Sequence, residues 1–208
     1  MTEGQVRSQL IVETKGLACG RGETMLVRDL DLALSSGHGL LLRGPNGSGK
    51  STLLLTLAGL LPPLAGNVQF SGHDPDDGPV LHYCGHRNGI RPRLSVSETL
   101  GFWAAINGAF GLSIAAALEK VGLSGAAKLD AGYLSAGQQR RLALARLLVS
   151  PRPLWLLDEP TAALDSQGHA LVGTLLADHL ASGGLAIIAT HDEIALEGLD
   201  TLMLGGRP

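Results

Sequence analysis

Short apolar runs alternate with amphipathic stretches along the whole chain, the pattern of an α/β fold rather than a bundle or a sandwich. Leu10–Glu13 and Met25–Leu34 predict early strands, the second with leucines at the alternating positions 30, 32 and 34. Gly39–Arg43 predicts a short buried strand that feeds a glycine-rich turn, and Lys50–Leu60 predicts a helix. Asn67–Ser71 and Pro79–Tyr83 have the pattern of further strands. From Ser95 to Gly132 the text becomes Ala/Leu-rich and helical, which predicts a helical subdomain inserted at about residues 95–150. Strand and helix then alternate again at Leu154–Leu157, Gln167–Ala181, Leu185–Ala189 and Thr201–Leu204. There is no internal repeat and no low-complexity linker, so residues 1–208 are expected to form one domain with its insertion.

Composition narrows this picture. Hydrophobic residues make up 45% of the chain while aromatics make up 3%, and there are 29 glycines. The core must therefore be aliphatic and the loops glycine-driven. A formal net charge of -3 argues against a nucleic-acid-coating protein or a polybasic membrane anchor, and no nucleic-acid partner is expected. Cys19 and Cys84 form no CxxC pair and read as two thiols in a reducing compartment. Met1–Gln9 lacks the apolar centre of a signal peptide. No apolar run approaches the roughly 20 residues that cross a bilayer, so a soluble, cytoplasmic protein is expected.

The chemistry begins with Gly44-Pro45-Asn46-Gly47-Ser48-Gly49-Lys50-Ser51, followed by Thr52. This fits the phosphate-binding pattern GxxxxGK[ST] and lies between an apolar strand and a helix, as the motif requires. Glycines let the backbone curl its N–H groups inward, and the helix N-terminus adds a positive dipole end. Lys50 would reach the β- and γ-phosphates of a nucleotide, and the Ser51 hydroxyl would ligate Mg²⁺; alone, this loop leaves kinases, GTPases and many ATPases open. Leu154-Trp155-Leu156-Leu157-Asp158-Glu159 is an apolar strand that ends in two acids. At the C-terminal end of a parallel strand these acids face the nucleotide crevice. Asp158 would hold Mg²⁺, and Glu159 would polarise the attacking water as general base.

Leu134-Ser135-Ala136-Gly137-Gln138-Gln139-Arg140-Arg141 opens a helix that runs through Leu148. Here the sequence resembles the ABC ATPase superfamily, whose signature is LSGGQ, with Ala136 in place of the first glycine. A helix N-cap accounts for Ser135 alone, but not for a position about twenty residues before the acidic strand, where that family carries its signature. The resemblance implies a P-loop ATPase core with a small antiparallel β region and an inserted helical subdomain. It also implies that Ser135, Gly137 and Gln138 address the γ-phosphate bound by a second copy. Ala163-Leu164-Asp165 matches the family's D-loop, and His191 after Thr190 matches its switch histidine. Two copies would then enclose two ATP molecules as a C₂ homodimer.

Two departures stand out. His86 falls where most ABC ATPases carry the Q-loop glutamine; a neutral imidazole can still ligate Mg²⁺ or position water. Gly16 to Thr24, expected to join the first two strands, contains no aromatic to stack on adenine, and Arg21 is the nearest flat side chain. Weak adenine selectivity is therefore expected.

These features resemble the ATP-binding subunit of the haem exporter of bacterial cytochrome c maturation. The resemblance rests on Cys19-Gly20-Arg21, on Tyr83-Cys84-Gly85-His86 with Gly89-Ile90, on the stretch Leu134 to Leu147, and on Leu154 to Pro160. It departs at Cys84, where the subfamily commonly has Leu, and at Arg87, where it commonly has Gln. The resemblance implies a peripheral subunit on the cytoplasmic face of the inner membrane, bound to integral membrane permease subunits. It further implies hydrolysis that releases a haem-loaded chaperone. Arg87, Arg91 and Arg93 are either docking residues or an ordinary solvated basic loop. Export of a lipid, peptide or drug stays open, because cargo choice lies in the membrane subunit. Soluble ABC ATPases of DNA repair and translation form a different class. They carry coiled-coil insertions or two fused domains, and neither feature is present.

Overall fold

A computed structural model describes residues 9–22, 24–194 and 196–205; the signal-peptide reading of Met1–Gln9 lies, but for its last residue, outside them. An antiparallel sheet is formed by β1 (Ile11–Arg21), β2 (Thr24–Ser35) and β4 (Ala65–Ser71), in the order β2-β1-β4. A parallel sheet contains β3 (Gly39–Arg43), β5 (Leu81–Cys84), β6 (Leu154–Asp158), β7 (Leu185–Ala189) and β8 (Asp200–Met203), in the order β5-β6-β7-β3-β8. Every residue of β6 and β7 is buried, because a parallel strand covered on both faces is apolar throughout rather than alternating.

Helix α1 (Lys50–Leu57) is wedged between the two sheets. Its Leu53, Leu54 and Leu57 pack with Val12 and Leu17 of β1 on one side and Leu154, Leu156 and Ile187 on the other. On the far face of the parallel sheet, α4 (Ala136–Val149) and α5 (Ser166–Ala181) cover Trp155, Leu157 and Ile188. A third apolar cluster joins α2 (Val96–Asn107) and α3 (Ile114–Lys120) to α4 through Leu100, Leu118, Leu142 and Val149. Helix α4 is thus shared by the sheet and the helical layer. Among the described residues no helix is long and apolar enough to cross a membrane.

The structure corrects two boundaries. The expected loop at Gly16–Thr24 is strand as far as Arg21, where Arg21 pairs with Thr24. Register shifts between Thr14 and Gly20, with Gly16 at φ 56, carry β1 through glycines that read as a loop. The first helix stops at Leu57 rather than Leu60: Gly59 takes φ 69, and Pro62 and Pro63 follow.

Strand β5 lies at the edge of its sheet, and buried polar groups secure it. His82 hydrogen-bonds the Ser150 carbonyl, and Arg146 donates to the Tyr83 carbonyl at 2.9 Å. Across the sheet His179 stacks on Trp155 with ring centroids 3.9 Å apart. Burial pushes both histidines down to about 4, so both are neutral in the folded chain at neutral pH. The unfolded chain takes up these protons near its ordinary value of about 6.5, while the folded chain resists until about 4. Stability contributed by the neutral pair is therefore present above about pH 6.5 and falls as pH drops toward 4. Urea unfolding at about pH 7.5 and about pH 5 checks this: the midpoint should be lower in acid, with less of the difference in a His82→Gln/His179→Gln variant.

Candidate active site

The parallel register sets Leu42 beside Ala189 and Asp158 beside Ala189. The chain therefore leaves β3, β6 and β7 along one rim, where ligands bind in open α/β sheets. Three segments meet there: Gly44–Ser51 after β3, Asp158–Glu159 at the end of β6, and Thr190–His191 after β7.

The first segment is a cradle built from glycine conformations. Gly44, Gly47 and Gly49 have φ of 142, 82 and 99, values a side chain disfavours. A β-carbon on Gly44 would run into the Leu204 carbonyl and the Ser48 hydroxyl. Pro45, Asn46 and Gly47 are exposed, whereas Ser48, Gly49 and Lys50 are buried. Gly49 caps α1 without a side-chain acceptor, leaving the amides of the first helical turn free for an anion. The Lys50 ammonium donates to the Gly44 and Pro45 carbonyls at 2.7 and 3.0 Å, closing the loop around its own cation. Ser48 Oγ is buried without a partner. Thr52, two residues beyond Lys50, is also buried. The orphaned Ser48 hydroxyl, the free amides of the helix start and the Lys50 ammonium fit a polyphosphate.

Ser51 Oγ donates to Asp158 Oδ1 at 3.0 Å. Burial pushes the Asp158 carboxyl up, with Glu159 adding to this; the Ser51 hydroxyl, His86 and Arg140 pull it back. Among the described residues no three His, Cys, Asp or Glu side chains gather around a metal position. One carboxylate and one hydroxyl nevertheless suit Mg²⁺, which keeps several waters and takes its remaining ligands from substrate phosphates. The residues present fit that ion.

Glu159 follows with φ 50, unusual for a side-chain residue, and its N–H donates to the Ala189 carbonyl at 2.7 Å. His191 Nδ1 stands 3.1 Å from both carboxylate oxygens. Only Oε1 lies in hydrogen-bonding geometry, and Oε2 is buried without a partner. The carboxylate is thus held by His191 through one oxygen and leaves the other without a hydrogen bond. Its hydrogen bond and charge, with Asp192, hold the His191 imidazolium above its ordinary range.

The remaining expected residues lie elsewhere. Ser135 caps α4, accepting from Gln138 N at 3.2 Å, while Gln138 Oε1 accepts from Ser135 N at 2.9 Å. The serine hydroxyl still has its own proton to donate. Gly137 packs so closely on the Ala163 carbonyl that a β-carbon would sit 2.7 Å from it. Asp165 caps α5 through Gly168 N and pairs with Arg141 at 2.9 Å. These residues line an open cleft of 670 Å³ with Gly122 and Leu164, and no phosphate-loop residue lines it. His86 is exposed in the turn after β5 and is close enough to act on Asp158 through its charge. Within one copy, then, the phosphate loop, Asp158, Glu159 and His191 converge, while Ser135, Gly137, Gln138 and Asp165 form a second surface.

Residues 27–162 match the family described as ABC transporter. The chain belongs to the ABC transporter family. It is 50% identical over 185 residues to the "Cytochrome c biogenesis ATP-binding export protein CcmA" of Rhodopseudomonas palustris, covering 88% of this chain and 92% of that protein. The protein of the same name from a Chelativorans species is 48% identical over 194 residues, covering 92% and 96%. Among solved structures, an ABC transporter ATP-binding protein from Pyrococcus furiosus is similar at TM-score 0.81 and 26% identity, with 93% and 97% coverage. An ATP-binding cassette solved as a dimer in a post-hydrolysis state with ADP and Pi is similar at TM-score 0.80 and 26% identity, covering 93% and 94%.

As an ABC ATPase the chain hydrolyses ATP. One residue at this ABC site went unread in the sequence: Arg140, 2% exposed. Its guanidinium donates to the carbonyls of Gly85, Asp158, Glu159 and Pro160 and to Asn88 Oδ1. The signal was available. Arg140 stands four and seven residues before the buried Leu144 and Leu147, on the inward face of its helix.

Replacement of Glu159 by Gln removes the charge and basicity of the carboxylate while keeping its shape. ATP turnover should fall at least about a hundredfold, while ATP-dependent association of two copies persists. Phosphate release and light scattering with MgATP measure both, and parent-rate turnover by the variant contradicts the role given to Glu159.

Proposed function

We propose that this chain is the ATP-hydrolysing subunit of a bacterial cytochrome c biogenesis export complex, acting as a homodimer on integral membrane permease subunits at the cytoplasmic face of the inner membrane. The observation that carries this reading is its similarity over nearly the whole chain to two proteins named for that process. The geometry at the rim supplies the mechanism.

The phosphate loop binds ATP with the amides of Gly47 to Ser51, and Lys50 moves from its own carbonyls to the β- and γ-phosphates. Mg²⁺, when bound, neutralises charge on those phosphates; Ser51 and Asp158 would hold it, with His86 as a further ligand or water partner. The Glu159 carboxylate takes the water's proton, and His191, held by Oε1, contacts the γ-phosphate. Ser135 Oγ and the Gly137 N–H of the second copy close the site from the opposite side, with Gln138 and Asp165 beside them. ATP thus holds two copies together, and its loss removes contacts made by both. Arg87, Arg91 and Arg93, beyond His86, face the permease. Haem as the cargo, and release of its chaperone as the coupled step, rest on the sequence resemblance alone; the relatives are named for cytochrome c biogenesis and export.

Affinity capture of the full chain from detergent-solubilised inner membranes tests the assignment. Recovery of cytochrome c maturation membrane subunits is the expected result. Recovery of another permease overturns the cargo but leaves the ATPase. Recovery of nucleic-acid factors without any membrane protein overturns the transporter reading.

A further inference from the structure

Arg140 is a full positive charge in the interior, and among the described residues no carboxylate lies within ion-pairing distance of it. A buried charge of this kind is costly unless every donor is satisfied. Here each branch of the guanidinium has a partner. Nε donates to the Pro160 carbonyl at 3.2 Å. Nη2 donates to the Asp158 and Glu159 carbonyls, each at 2.6 Å. Nη1 donates to the Gly85 carbonyl at 2.8 Å and to Asn88 Oδ1 at 3.0 Å.

The partners fall into two groups far apart in sequence. Three are consecutive carbonyls of the turn after β6, where Glu159 holds a left-handed backbone. The other two lie on either side of His86 in the turn after β5. The Glu159 N–H is already tied to the Ala189 carbonyl, so Arg140 fixes the other side of the same residue. The fork itself is carried by α4, little more than one turn from Ser135 at its N-cap.

We infer that Arg140 is a positioning residue for hydrolysis: it fixes the Glu159 turn to the His86 turn and sets the angle at which the Glu159 carboxylate meets the attacking water. Arg140 touches neither the carboxylate nor the phosphate loop, so it acts on the rate of the chemical step and not on nucleotide binding. A planar fork is required, because a lysine ammonium is a point donor that cannot reach carbonyls on both turns. The inference rests on Glu159 being the general base.

The test compares Arg140→Gln, Arg140→Lys and Arg152→Gln in the full chain. Arg152 is also buried and hydrogen-bonds the Asn107 carbonyl, but it makes no hydrogen bond to either turn. Steady-state MgATP turnover gives kcat and KM per folded molecule, with urea midpoints measured alongside. Arg140→Gln and Arg140→Lys should each lower kcat about 10- to 100-fold with KM changed less than about threefold. Arg152→Gln should lower the urea midpoint while kcat per folded molecule stays within about twofold. If KM rises in step with the loss of kcat, or Arg152→Gln loses as much kcat as Arg140→Gln, the role is merely structural and the inference is overturned. Should Arg140→Gln fail to fold, Arg140→Lys decides, and parent-like kcat there overturns it. Should Glu159→Gln turn over normally while Arg140→Gln does not, the base assignment fails and not the importance of Arg140.

Discussion

The site depends on the parallel register of β3, β6 and β7. Three strands of five residues each end together, and this alone delivers the phosphate loop, the paired acids and His191 to one rim. Burial of both sheet faces enforces the register: slipping one strand by a single residue would exchange the side chains facing α1 with those facing α4 and α5. The aliphatic composition suits this, since Leu, Ile and Ala fill strands covered on two sides without a polar atom to satisfy.

At the rim the same economy of space produces the polar exceptions. Gly44 stands against the Leu204 carbonyl and Gly137 against Ala163 because the backbones approach too closely for a side chain. Glu159 leaves β6 through a left-handed turn that Arg140 and Ala189 hold from two sides. Lys50 and Ser48 are the converse, buried polar groups whose natural partners are phosphate oxygens. The site stores its donors on its own carbonyls or leaves them orphaned, arrangements that phosphate oxygens would replace with stronger, charge-assisted ones.

Much of this is legible in the sequence, and the failures have physical causes. Gly39–Arg43 and Leu185–Ala189 read as buried strands and have those bounds, because continuous apolar runs between turn residues leave few alternatives. The course of β1 was illegible: Gly16 and Gly20 look like a loop, and only pairing with β2 on either side of the irregular Gly16, and with β4 as far as Ala18, carries the strand on to Arg21. Arg140 was legible only in part: its spacing to Leu144 and Leu147 puts it on the inward face of its helix, but most of its partners are main-chain carbonyls of distant segments, which carry no side-chain signature. The phosphate loop and acidic strand end were plain because their chemistry is local. The separation of Ser135 from them is not local: no spacing within the chain carries it, and the family resemblance alone implied that Ser135 serves a second copy.

On the proposed function, that separation means that one copy holds halves of two different sites. Cys19 and Cys84 are both buried, so cysteines introduced at Asn46 in the phosphate loop and Ala136 in the signature, both exposed, can report on it without interference. In a hydrolysis-blocked chain carrying both substitutions, mild oxidation with MgATP should form a disulfide between two chains, and without nucleotide it should not. A disulfide closing within a single chain, or cross-linking indifferent to ATP, would contradict the account.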